Sequence, residues 1–316
     1  MKSWKFVLPL FLFLLPLGLF PTGIVPGKQS SNLKNNPQRE KSSRATFSEL
    51  FQLVSDVQLD TTGGNYIGMI SDVALTSDGR IIVTDHSITR QVFIFTSSGS
   101  FIGRIGTMGN GPGEYQNPAF IRIHRDGNTI CVIDIGSPKV LVYSSRGEYK
   151  TSFRLKKNPI RVTVNARGLY FQIFDFSDKN TLYHFSLDGK LLNSFSPIDE
   201  EFKPLLLFLY AGGGLVSDNH DNLYRMTVAK YEITKYSPAG DFLTKFKREA
   251  PFLRKHDAAL PDLRDRKAWQ KLSYERTLIH NIFYLDPGLL LVQCINHDEN
   301  RNPDFLLEIF LFGWES

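Results

Sequence analysis

Asp85, His86 and Ser87 stand together in the sequence with Arg90 just behind, and His297, Asp298 and Glu299 form a second such group. Two imidazoles beside carboxylates are donors that a divalent metal accepts, so His86 and His297 are the metal-ligand candidates. Arg122 and Arg161 suggest different chemistry, because a guanidinium fork matches a carboxylate or phosphate. His124 follows Arg122 by two residues, and Asp72 holds a comparable place upstream. The other histidines (184, 220, 256, 280) have no ligand-type spacing. The chain carries no Gly-x-Ser-x-Gly and no spaced nucleophile and base. GTMGNGPGEYQNP, residues 106–118, is rich in glycine but lacks the Lys-Ser/Thr of a phosphate loop, and the strand-like AFIRIH follows where such a loop needs a helix.

The elements that must position these residues repeat. Phe95, Tyr143, Phe185 and Tyr236 each stand four residues before a glycine, at 99, 147, 189 and 240. Apolar residues stand two and six after each glycine, ending at Ile105, Phe153, Phe195 and Phe246. An aromatic that ends a strand, a polar turn closed by a left-handed glycine and an alternating run predict a hairpin. Upstream of each lies another: SDVALTSDGRIIVTD, IRIHRDGNTICVID, VTVNARGLYFQIFD and the looser LVSDNHDNLYRM. Four short strands per unit of roughly 40–50 residues predict an all-β fold, a β-propeller of four-stranded blades. The glycine-rich stretch becomes the crossing between the first two blades, with Tyr115 packed beneath it.

The innermost strand of each blade lines the central channel. On its turn-aligned parity, Val73, Leu75, Ile121, Ile123, Val162 and Val164 should be core. The opposite parity offers Asp72, Thr76, Phe120, Arg122, His124, Arg161, Thr163 and Asn165 to the channel. The candidate ligand-binding set is Asp72, Arg122, His124 and Arg161, with Asp85, His86 and Arg90 from the loop after the second strand. Aspartates recur at that loop (Asp85, Asp134, Asp175), and a residue every blade repeats reads as an anchor.

Lys2 and Lys5 precede an apolar run from Phe6 to Phe20, the layout of a signal peptide or an N-terminal membrane anchor over residues 1–25. Residues 26–46 are polar and read as a flexible linker. The propeller occupies 47–316, with a helical insertion at 248–274 whose short helix starts near Pro261. This layout places the body outside the cytoplasm, with membrane contact only through the N-terminal segment. A net charge of +5 with no clustered basic face argues against nucleic acid. Cys131 and Cys294 sit in apolar runs without a CxxC spacing, and read as buried hydrophobes.

GNGPGEYQNP, the I-x-I strand, the DG turn and V-I-D together resemble the NHL-repeat family, and more narrowly its exported six-bladed propellers of bacteria. The resemblance covers about residues 47–250 well and 275–312 weakly. It implies a six-bladed ring, often without assigned activity. Some relatives bind proteins or RNA, and the amidating lyases of this fold use metal-binding histidines that have no match here. Four full blades and a three-stranded fifth are visible. Either FSELFQLVSDVQLD (47–60) supplies the missing outer strand, or a sixth blade is missing and the chain is a fragment, which fits slightly better. The leading expectation is an extracytoplasmic binding scaffold for a protein, peptide or glycan, with no cofactor. The alternative is a metal-dependent hydrolase or lyase at the channel mouth.

Overall fold

The computed structural model describes residues 51–175, 177–198, 213–226, 231–247, 277–285, 288–297 and 303–311, with Leu8, Pro9 and isolated positions between 265 and 275. A short unit comprises residues 1–58 and 313–316, and in it β1 (Leu8–Pro9) pairs antiparallel with β2 (Asp56–Val57). The main unit, Leu59–Phe312, holds the blades.

Blade 1 is β3 (Asp72–Leu75), β4 (Ile81–Asp85), β5 (Gln91–Phe95) and β6 (Phe101–Arg104), hydrogen-bonded in that order. After the crossing, which contains the two-residue strands β7 (Thr107–Met108) and β8 (Glu114–Tyr115), blade 2 follows as β9 (Pro118–Ile123), β10 (Thr129–Asp134), β11 (Lys139–Ser144) and β12 (Tyr149–Arg154). Blade 3 is β13 (Arg161–Asn165), β14 (Gly168–Gln172), β15 (Asn180–Phe185) and β16 (Leu191–Pro197). Blade 4 is β17 (Gly214–Ser217), β18 (Leu223–Met226), β19 (Glu232–Tyr236) and β20 (Phe242–Lys247). The fifth, among the described residues, has three strands, β21 (Leu278–Leu285), β22 (Leu289–His297) and β23 (Pro303–Leu311).

Every four-stranded blade turns its last hairpin in the same way. Gly99, Gly147, Gly189 and Gly240 have φ of 89°, 84°, 90° and 94°. The register slips by one residue at the aromatic before each turn, at Phe95, Tyr143, Phe185 and Tyr236, so each hairpin carries a bulge. At Gly189 a Cβ would also lie 2.4 Å from the Phe153 side chain of the preceding blade. Gly189→Ala is therefore expected to destabilise the fold by about 2 kcal/mol, from left-handed strain plus the clash. Gly147→Ala, whose Cβ would meet only Ile105 at 3.4 Å, should cost about half that, and urea unfolding of the two variants checks the ranking.

The core lies between blades. Ile82, Val92 and Ile94 of blade 1 pack with Ile121, Ile130, Val132 and Leu141 of blade 2. The alternate residues of blade 2, Cys131, Ile133, Val140 and Val142, pack with Val162, Leu169 and Phe171 of blade 3. Tyr170, Leu182 and Phe195 then meet Leu215, Leu223 and Tyr236. Tyr224, Met226 and Ile233 meet Ile279, Ile282, Leu290 and Val292. A strand buried on both faces must be apolar at every position, which is why TICVI and GLYF read as continuous runs. Cys131 and Cys294 are fully buried in these layers, and burial pushes both thiols up to about 12.

The same stacking corrects the parity of the innermost strands. Phe120, expected in the channel, packs into the layer between blades 2 and 3. Thr76, Thr163 and Asn165 are buried, while Leu75, expected in the core, is 38% exposed. Both faces of an inner strand meet a neighbouring blade, so alternation separates one inter-blade layer from the next, not core from channel.

Among the described residues β23 pairs only with β22, and the strand at 56–57 pairs with β1. The expected outer strand from 47–60 is not formed there, and residues 47–50 lie outside the described residues. Lys267, Ala268, Lys271 and Glu275 have helical backbone, while the expected helix start near Pro261 lies outside the described residues.

Candidate functional site

The glycine-rich crossing is structural. Tyr115 is fully buried beneath it, donating its hydroxyl to the Ile105 carbonyl at 2.9 Å and accepting from the Val92 N–H at 3.1 Å. Glu114 accepts from the Gly111 N–H at 2.7 Å, and Tyr143 donates to the Gly113 carbonyl at 3.0 Å. The backbone of the loop thus engages its own side chains and those of the next blade.

The repeated aspartates tie each inner strand to the loop after the second strand. Asp85 is fully buried and accepts from the N–H groups of Gly68, Met69, Ser87 and Ile88 and from the Thr89 hydroxyl. Asp134 does the same with Gln116, Asn117, Gly136 and Ser137. In the third copy Asp175 takes the Lys157 ammonium at 2.8 Å and Ser177. Burial works against ionisation of Asp85, but the backbone donors outweigh it and hold the carboxyl below its ordinary 3.8. Such a group stabilises the fold above pH 3.8 and loses that contribution as pH falls through the lower folded value. Asp85→Asn should therefore be less stable than wild type at pH 7, with the gap narrowing as pH falls below 3.8, as read from urea midpoints at neutral and acid pH.

Three of the sequence candidates come together across the inner strands: Asp72 and Arg161 begin β3 and β13, and Arg122 is the next-to-last residue of β9. Arg122 on β9 reaches Asp72 on β3 at 2.5 Å and the Val162 carbonyl on β13 at 2.8 Å, and so spans three blades. Arg161 on β13 donates Nε to the Gly213 carbonyl at 3.0 Å, Nη1 to its neighbour Ile160 at 2.9 Å and Nη2 to the His280 carbonyl at 3.3 Å. Among the described residues Arg161 has no carboxylate partner. Burial, and then the charge on Arg122, lower its pKa, and burial followed by the Arg161 charge lowers that of His280. Asp72 pairs with Arg122 alone, so among the described residues Arg161 leaves this cluster with an excess positive charge.

His86 adjoins this cluster. Its Nδ1 is in a short hydrogen bond with Ser71 Oγ, which also accepts the His86 N–H at 3.0 Å. Ser71 directly precedes Asp72. Arg90, exposed with φ 54°, lies on the same loop. His297 ends β22, and among the described residues no three His, Cys, Asp or Glu side chains come within metal-binding reach. His124 directly follows β9, two residues past Arg122, and lies 3.1 Å from Asp126. There Arg125 crosses from blade 2 to blade 4, donating to the carbonyls of Asn219 at 2.8 Å and Asp218 at 2.6 Å and pairing with Asp221 at 3.0 Å. The turn after β9 is thus bridged to blade 4 by protein, whereas among the described residues Arg161 has no acidic partner.

Next to the charged mouth lies an exposed apolar patch. Tyr66, Met69 and Ile88 are 62%, 47% and 60% exposed. Gly68 keeps them adjacent, since a Cβ there would lie 2.3 Å from Ile88. Neither the patch nor Ser71 had a sequence signal. Gln172 did: it is a lone amide in the apolar run GLYFQIF.

A family profile described as a domain of unknown function, DUF4934, matches residues 30–236. The chain belongs to the DUF4934 family. No curated protein matches the sequence. This DUF4934 chain superposes on BF0058 of Bacteroides fragilis, a protein inferred to be exported, with a TM-score of 0.56 at 15% identity, over 79% of this chain and 74% of that one. A member of the DUF4221 family from Bacteroides vulgatus gives 0.57 at 10% identity over 77% and 78%. Virginiamycin B lyase from Staphylococcus aureus gives 0.50 at 15% over 83% and 75%. Likeness at such identities establishes the propeller fold and nothing finer.

Proposed function

We propose that this DUF4934 protein is an exported or membrane-tethered propeller that works by recognition, docking a protein or peptide partner on the mouth marked by Arg122 and Arg161. The observation that carries the reading is the excess positive charge of Arg122 and Arg161 together with exposed Tyr66, Met69 and Ile88 beside the start of β3. Charge selects and steers a partner, and a desolvated apolar centre supplies affinity. Aliphatic Met69 and Ile88 favour a peptide over a glycan, which would call for flat aromatic faces. Export is supported by Lys2, Lys5 and the apolar run after them. Nucleic acid remains an unexpected partner on charge grounds.

The rival reading is a metal-dependent hydrolase or lyase at the same mouth, with His86 and His297 as ligands. Recognition is favoured because metal chemistry has no use for the exposed Tyr66, Met69 and Ile88; the Ser71 contact at His86 Nδ1 leaves Nε2 for a metal and does not separate the two readings.

Cross-linking of tagged full-length protein in the envelope of its own host tests the proposal. Met69→Glu with Ile88→Glu should abolish capture of the partner, Leu192→Glu with Leu243→Glu on the outer strands should leave it intact, and a chelator should have no effect. The reverse pattern, or chelator-sensitive capture, would overturn it.

A further inference from the structure

Gln172 is fully buried on β14, and neither its amide oxygen nor its amide nitrogen has a hydrogen-bond partner. Burying an amide without partners is unfavourable, so such a group calls for an occupant. Its directly opposed neighbour across the strand pair is Arg161. Opposed residues of an antiparallel pair share one face with their Cβ atoms about 5 Å apart. That face is the one turned toward blade 4, because Tyr170, two residues from Gln172, packs there with Leu215 and Leu223. A guanidinium without a carboxylate and an amide without any partner therefore sit side by side.

We infer that Arg161 and Gln172 form a carboxylate subsite at the mouth, which takes the C-terminal carboxylate of a docked peptide. The inference rests on the docking reading above and gives it a ligand class. Arg161 spends one N–H on each of Gly213, Ile160 and His280, and a guanidinium has five, so two remain for an anion. The Gln172 NH2 adds donors for the same carboxylate. Its Oε1 needs a donor in return, which the last amide N–H of a peptide supplies beside the carboxylate. Arg122, already held by Asp72, contributes long-range attraction.

Thermal unfolding of full-length protein in N-acetylglycine, with ionic strength held constant by sodium chloride, tests this. The midpoint should rise saturably, less in acetate, which lacks the N–H, and least in phosphate. Gln172→Leu removes the partnerless amide, so it should be as stable as wild type or more stable without ligand and should lose the response. Arg161→Lys keeps the charge but loses the fork, and should weaken the response at least tenfold in concentration. Three outcomes would overturn the inference: no saturable shift in wild type, a stronger response to phosphate or glucuronate than to N-acetylglycine, or a Gln172→Leu protein that is destabilised yet responds normally. If wild type ignores N-acetylglycine while Met69→Glu with Ile88→Glu still abolishes capture, the carboxylate subsite falls and the docking reading stands.

Discussion

Asp134→Ala is expected to destabilise the propeller by about 4 kcal/mol, a large fraction of the stability of an ordinary domain. The carboxylate has no exposed surface and accepts from Gln116 N at 3.0 Å, Asn117 N at 2.6 Å, Gly136 N at 3.0 Å and Ser137 Oγ at 2.7 Å. Two of these donors belong to the chain entering β9 and two to the turn leaving β10, so one side chain locks both ends of a hairpin. Alanine leaves the four donors facing an apolar methyl. Hydrogen bonds to an ionised group are worth about 1.5–3 kcal/mol each and are not additive when they share an acceptor, which sets the expected total. Asp134→Asn should recover only part of the loss, because its NH2 cannot accept. Urea unfolding at neutral pH measures both, and a loss under about 1 kcal/mol for alanine would show that Asp134 is not the anchor described.

Tyr115→Ala should cost about as much, near 4 kcal/mol, through a different mechanism. Tyr115 is among the largest fully buried side chains and packs with Ile82, Ile94, Ile121 and Tyr143 in the layer between blades 1 and 2. Removing the ring opens a cavity in a layer that two rigid sheets prevent from collapsing. It also frees the Ile105 carbonyl and the Val92 N–H. Tyr115→Phe separates the two contributions and should cost about 1–2 kcal/mol, the price of the two backbone groups alone. Burial pushes the Tyr115 hydroxyl up to about 12, so neither difference should depend on pH between 5 and 9 by this group.

The propeller was legible because its hairpins need glycine. A turn with φ near +90° admits little else, so Gly99, Gly147, Gly189 and Gly240 mark the blades whatever the neighbouring residues are. The looser copy LVSDNHDN is explained by Asp221, which adopts φ 66° and donates its N–H to the Asp218 carbonyl where Gly79 and Gly127 close the equivalent turns. The recurring aspartates were legible as anchors for the same reason: a need repeated in each blade leaves a repeated residue. The mouth was only half legible. Arg122 and Arg161 stood out as charges in strand sequence, but parity could not place them, since both faces of an inner strand are packed. Their partners, Asp72, Gly213 and His280, are 50, 52 and 119 residues away in sequence, and ring geometry alone brings them near. Exposure of Tyr66, Met69 and Ile88 follows from where Asp85 pins its two loops, which no local pattern records.

Among the described residues the mouth patch of Tyr66, Met69 and Ile88 competes for a partner with the outer strands, where Leu191, Leu192, Phe242 and Leu243 are 48%, 46%, 60% and 49% exposed. Hydroxyl-radical footprinting of the full-length protein, with and without its cross-linked partner, reads both at once. Recognition at the mouth predicts strong protection of Met69, Tyr66 and Ile88 with the outer strands unchanged. Protection of Leu191, Leu192, Phe242 and Leu243 with Met69 oxidised as in the free protein would contradict it.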